Sequence, residues 1–264
     1  MKDLKQLFIQ DYEAETERIT GFFRTFFDGC PRKRAILGFS GGIDSTVATA
    51  LCCREIGPEN VDVVLMPAPN SSRGSVDDAF KQAKVLGIPC ENIHYKPIAE
   101  KLKTFGFDEE SLQQANLQIG NTAARIRMAT LFQIADEVGA VVIGTENQTE
   151  HLLGYFTIGG DEVSIIEPFQ HLYKTEVRGL ADYLGNIIPE IRNKKPSAEL
   201  WDGQTDEDEL GFTYHDADIV LAGIMADVGW VVYGVTTAVA TKVIARVNYT
   251  EFKRERPFHL ERRQ

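Results

Sequence analysis

Apolar residues near the start of the chain, Leu7, Phe8, Tyr12, Ile19, Phe22, Phe23, Phe26 and Phe27, recur at intervals of mostly three and four with charged residues between them. That spacing predicts an amphipathic helix over 3–28, ending near Gly29 and Pro31. The period then changes. Short β-branched runs at AILGF (35–39), VDVVLM (61–66), VVIG (141–144) and, more weakly, NIHYK (92–96) alternate with helical patterns over 44–56, 75–86 and 117–138. Strands alternating with helices require crossover connections. The expected fold is therefore α/β, a doubly wound, mostly parallel sheet with helices on both faces. Ligands on such a sheet bind beyond the carboxyl ends of the strands, where the strand order reverses. The segments 38–45, the stretch after Met66, and 144–150 emerge there. After Pro168 the pattern is helical, broken by an acidic, turn-rich interruption, KKPSAELWDGQTDEDELGF (194–212), with a lid loop expected over about 195–211. No repeat or linker divides the chain, so one domain is expected over 1–264.

Composition narrows the function classes. The 264 residues are 43% hydrophobic, enough for a sizeable core. A formal net charge of -11 has the wrong sign for a general nucleic-acid-binding surface. With no apolar run of about 18 residues and a charged, non-signal-like start, a cytoplasmic protein without a membrane partner is expected. Cys30, Cys52, Cys53 and Cys90 show no metal spacing and read as reduced thiols.

The stretch GFSGGIDSTVATAL (38–51) carries the chemistry. It has neither the Walker pattern nor a Rossmann G-x-G-x-x-G. Ser40, Gly41, Gly42, Asp44 and Ser45 instead form the S-G-G-x-D-S pattern of the ATP pyrophosphatases, strand before and helix after. The glycines let the backbone approach a pyrophosphate, and the hydroxyls and helix N-terminus donate to its oxygens. Asp44 would repel those phosphates unless Mg²⁺ stands between them. Read as bare structure, the same residues are a tight turn with Asp44 and Ser45 as helix caps.

A second set of residues lies downstream: Arg125 and Arg127 in GNTAARIRM, Thr145 and Glu150 in GTENQTE, Lys174 in LYKTEV and Ser197 in KPSAEL. Each alone is more often a solvated charge or a cap than a site. Together with the loop, MPAPNSS (66–72), GYFT (154–157), KPSAELWDGQTDEDELG (195–211) and KRERP (253–257), they resemble the NAD synthetase family in its short form without a glutaminase domain. The resemblance implies an adenine nucleotide alpha-hydrolase-like fold. It implies ATP contacts at Gly38, Phe39, Ser40, Gly41, Gly42, Ile43, Asp44, Ser45, Thr145, Lys174 and Ser197, with Asp44, Ser45 and Lys174 catalytic. It further implies Mg²⁺ ligands at Asp44 and Glu150, substrate contacts at Arg125 and Lys253, and a homodimer. The activity implied is amidation of deamido-NAD to NAD through an acyl adenylate, releasing AMP and pyrophosphate. About 33 residues precede the first strand, too few for a glutaminase, so ammonia is the expected nitrogen source.

The pattern departs from the family at Ile158, where lysine is usual, at Ile165, where aspartate is usual, and at Phe252, where many members have histidine. All three are positions associated with the dinucleotide. An amide-forming ligase of the same lineage acting on another acid is the alternative, and a nucleotide-binding module without chemistry is a third reading.

Overall fold

The computed structural model describes residues 6–113, 116–197, 205–228 and 234–254. Strands β1 (Arg34–Gly38), β2 (Val61–Leu65), β3 (Ile93–Tyr95) and β4 (Ala140–Val142) form a parallel sheet in the order β3-β2-β1-β4, and the helices around it include the peripheral α3 (Arg73–Val85), α5 (Glu109–Gln113), α9 (Pro189–Arg192) and α10 (Asp206–Leu210). Ala35 pairs with Val61 on one side and Val141 on the other. The strand order reverses between β1 and β4, and Ile143 is bridged in parallel to Ile166 just beyond β4. The doubly wound parallel sheet expected from the alternating pattern is therefore present.

Alternation along each strand divides the core. Ala35, Leu37, Val63 and Val141 face one cluster; Ile36, Val64 and Val142 face another. The first cluster lies under α1 (Tyr12–Gly29), α2 (Ile43–Ile56) and α8 (Lys174–Leu184), and includes Phe23, Leu51 and Val177, all fully buried. The second lies under α4 (Ala99–Thr104) and α6 (Leu117–Val138), through Leu102, Ile126 and Ile134. Nine of the fourteen residues of α2 are buried, because α1 and α8 cover the face that the sheet does not. That burial holds the helix beginning at Ile43 rigidly against β1.

A third cluster joins α7 (Gln148–Leu153), α11 (Tyr214–Met225) and α12 (Thr237–Tyr249) through Leu153, Val220 and Val243. It accounts for a correction at the N-terminus. The helix expected over 3–28 starts only at Tyr12, where Asp11 accepts the Ala14 N–H at 2.9 Å. Leu7 and Phe8, counted in the helical stripe, instead pack on the third cluster, with Phe8 edge-on to Tyr173 at 5.6 Å. The hydrophobic period was continuous across a change in packing partner. Residues 1–5 lie outside the described residues, as do 198–204 of the expected lid loop and the end of KRERP. Among the described residues, all four cysteines are free and no helix is long and apolar enough to cross a membrane.

Candidate active site

Beyond the carboxyl end of β1 the chain turns into α2 with no side-chain cap at Gly42, leaving first-turn N–H groups of the helix to a ligand. Gly41 has φ +76°, and a Cβ there would collide with the Ser75 carbonyl. Only glycine fits that position. Ser40 Oγ accepts the Gly42 N–H at 3.1 Å and lies 3.2 Å from Ser45 Oγ, so both hydroxyls converge on one side of the loop.

Asp44, in the first turn of α2, meets two other elements. Lys174 Nζ, from the first residue of α8, donates to Asp44 Oδ2 at 2.5 Å and to Glu150 Oε1 at 2.9 Å. Asn147 Nδ2 donates to Asp44 Oδ1 at 2.9 Å. Asn147 is also the N-cap of α7, and with Glu150 it forms a capping box: Glu150 N–H to Asn147 Oδ1 at 3.0 Å, and Asn147 N–H to Glu150 Oε2 at 3.4 Å. One carboxylate oxygen of Glu150 thus closes its own helix while the other holds the lysine.

The electrostatics follow from burial. Lys174 is 3% exposed. Its desolvation favours the neutral amine, but Asp44 and Glu150 overturn that and raise its pKa, so it stays an ammonium at neutral pH. Glu150 is pushed up to about 8, first by burial and then by the Asp44 charge, with Lys174 opposing. The two carboxyl groups share one cation, so ionising both would leave the trio short of positive charge.

These groups open into a cleft of about 650 Å³. Its walls include Gly38–Ser40, Gly42–Ser45, Thr145, Glu150, Lys174, Ser197 and Lys253, which brings most of the expected site residues together. Lys253 Nζ reaches the carbonyls of Gly154 and Phe156. Arg125 is exposed and does not line the cleft, its Nε donating to the Ile158 carbonyl at 3.0 Å. Ile158 and Ile165 do not line the cleft either, and Ile165 is 57% exposed, whereas Phe252 stands at the rim.

Arg127, Arg178 and Lys194 add positive charge to the wall. Arg127 donates to the Met66 carbonyl at 3.0 Å and Arg178 to that of Lys194 at 3.1 Å. Sequence reasoning had assigned a role to none of the three, nor to Asn147. Two signals were available: N-x-x-E at 147–150 is a capping-box spacing, and Arg178 lies one helical turn after Lys174.

The sequence and the fold have counterparts among known proteins. The NAD synthase profile matches residues 15–257. The chain belongs to the NAD synthase family. It is 41% identical over 215 residues to an NH(3)-dependent NAD(+) synthetase of Thermoplasma acidophilum, covering 81% of this chain and 85% of that one. It is 40% identical to the corresponding protein of Methanococcoides burtonii over 90% of this chain and 91% of that one. Among solved structures, an NH3-dependent NAD synthetase from Campylobacter jejuni shares 29% identity with a TM-score of 0.79, over 96% of this chain and all of that one. An NMN synthetase from Francisella tularensis shares 28% with a TM-score of 0.82, over 96% and 99%. The family fold is the one described here.

Behind the Thr145 wall, Glu167 occupies the space where Gly144 has no Cβ; it accepts the Glu146 N–H at 3.1 Å and the Ser164 hydroxyl at 2.6 Å. Burial pushes Glu167 from 4.5 up to about 8, with the Ser164 hydrogen bond opposing. Between those two values the folded chain binds a proton there that the unfolded chain has released, so this group's contribution to stability falls as pH rises through that window. Glu167→Gln should lessen the fall in unfolding free energy between pH 5 and 8 by a slope of up to about one proton. Urea denaturation at several pH values measures it; an unchanged slope contradicts the assignment.

Proposed function

We propose that the cleft converts deamido-NAD to NAD, activating the acid with ATP and aminating it with ammonia. The observation that carries the reading is the meeting of Asp44, Glu150 and Lys174 at the mouth of an uncapped glycine loop. The two curated relatives described above, 41% and 40% identical, are NH(3)-dependent NAD(+) synthetases, which supports both the acid and the nitrogen source.

The chemistry begins with a poor leaving group. A carboxylate resists ammonia because oxide cannot depart, so the carboxylate oxygen attacks the α-phosphorus of ATP and pyrophosphate leaves. Ammonia then attacks the acyl carbon of the adenylate, the carbon–oxygen bond to AMP breaks, and the lost proton passes to solvent. The chain's task is to hold and to neutralise. The loop N–H groups and the Ser40 and Ser45 hydroxyls would bind the departing pyrophosphate. Lys174, kept charged by its two carboxylates, stabilises the negative charge that accumulates there. It cannot serve as a general base with a raised pKa.

Asp44 and Glu150 fit Mg²⁺: they are hard oxygen donors, each side chain about one-sixth exposed toward the cleft, and ionising both would leave the trio short of positive charge. Among the described residues no group of three or more His, Cys, Asp and Glu could hold a metal, which suits an ion that takes its remaining ligands from phosphate and water. When bound, the ion would shield the carboxylates from the phosphates and draw charge from the leaving group.

A homodimer is part of the same proposal. Leu117, Tyr249 and Phe252 are all more than half exposed at the rim of the cleft, where a second copy would cover them.

The Francisella neighbour gives the second reading its acid. It is an NMN synthetase, and here Ile158 and Ile165 do not line the cleft, although the family resemblance associates their positions with the dinucleotide. Deamido-NAD and nicotinate mononucleotide are therefore the two acids to compare.

With ammonium, ATP and Mg²⁺, the purified chain should make NAD, AMP and pyrophosphate, and kcat/KM should be higher for deamido-NAD than for the mononucleotide. The reverse order would move the assignment to the mononucleotide, and ADP with orthophosphate would reject the mechanism. Asp44→Asn and Glu150→Gln should each lower kcat at least about a hundredfold, roughly 3 kcal/mol, with circular dichroism unchanged. Near-normal turnover in both variants would remove them from the site.

A further inference from the structure

Lys174 is useful only if its amine lies within reach of two carboxylates on different helices, so something must fix the start of α8. Its N-cap, Tyr173, supplies no side-chain hydrogen bond to the helix. The first two N–H groups of α8 are instead satisfied from outside it. Lys174 N–H donates to Thr149 Oγ1 at 2.9 Å, and Thr175 N–H donates to Asp218 Oδ2 at 2.9 Å. Thr149 in turn donates its hydroxyl proton to Asp218 Oδ1 at 2.5 Å.

Both groups are fully buried. Asp218 stands in α11 among Ala217, Ile219, Val220 and Leu221, where a carboxylate is costly unless every contact is made. Thr149 precedes Glu150 on α7. Three helices thus meet through one threonine hydroxyl and one carboxylate, and two of them carry the partners in the 2.9 Å contact between Lys174 and Glu150. A carboxylate spent only on closing a helix end would not need to reach α7 as well.

We propose that Asp218 and Thr149 are positioning residues for the adenylating step: by capping α8 from α11 and α7, they set the Lys174 amine between Asp44 and Glu150. The inference rests on the function proposed above. Neither residue touches substrate. Their loss acts through Lys174, on the charge that develops during pyrophosphate departure, and so on kcat more than on KM.

The test uses Thr149→Val, which keeps the shape and loses the hydroxyl, Thr149→Ser, which restores it, and Asp218→Asn, which keeps the size and loses one acceptor. Thr149→Val and Asp218→Asn should lower kcat by about 10- to 100-fold, the scale of a small misplacement in an active site, with KM for ATP changed by less than about threefold. Thr149→Ser should recover most of the loss. In a Lys174→Met background, Thr149→Val should have no further effect on kcat. A loss that persists in that background, or falls on KM alone, overturns the positioning role. A second readout needs no turnover: in enzyme carrying isotope-labelled lysine, the Nζ resonance that disappears in Lys174→Met should shift in Thr149→Val and return in Thr149→Ser. An unmoved resonance also overturns the proposal. A natural chain that makes no amide, but whose resonance moves as expected, refutes the proposed function and leaves the positioning of Lys174 standing.

Discussion

One buried ammonium holds the site together. Lys174 is nearly inaccessible and bonded to carboxylates from two other helices, so the ends of α2, α7 and α8 meet at a single charge. Ionising both carboxyl groups around one cation would leave the trio short of positive charge, and burial, ahead of the Asp44 charge, raises the Glu150 pKa. That shortage suits a site made for ATP with its counter-ion. The surrounding architecture serves the constraint. The sheet and α1 bury α2, the capping box fixes Glu150, and the third hydrophobic cluster brings α11 against the helix that carries Lys174.

What could be read from the sequence was what depends on neighbours along the chain. The runs AILGF and VDVVLM are apolar because both faces of β1 and β2 are covered, and the alternation of strand and helix needed no tertiary knowledge to imply a parallel sheet. The S-G-G-x-D-S loop was legible for the same reason: its glycine at positive φ, its hydroxyls and its aspartate lie within six residues. Glu150 and Lys174 entered only through a resemblance that spans the chain, because nothing local distinguishes a glutamate on a helix from any other. The structure shows them in contact with each other and with Asp44.

The parts that were not legible are long-range. Asp218 sits in an apolar helix 69 residues from the threonine it bonds, and no period or spacing announces that pair. Asn147 looks like an ordinary cap until Asp44 is folded against it from 103 residues away. The start of α1 was misread because Leu7 and Phe8 keep a helical spacing while packing on a different cluster from the residues that follow. A hydrophobic pattern records that a residue is covered and does not record by what.

If a shared counter-charge is the organising interaction, its removal must cost more than removal of the whole group. Denaturation at pH 8 of the natural chain, of Lys174→Met, and of the triple variant Lys174→Met, Asp44→Asn, Glu150→Gln measures this directly. Lys174→Met alone should lose about 3 kcal/mol or more, because the Asp44 carboxylate is left without its cation and Glu150 can stay beside it only by holding a proton, and the triple variant should recover part of that loss. Losses that simply accumulate from the single to the triple variant would contradict the account.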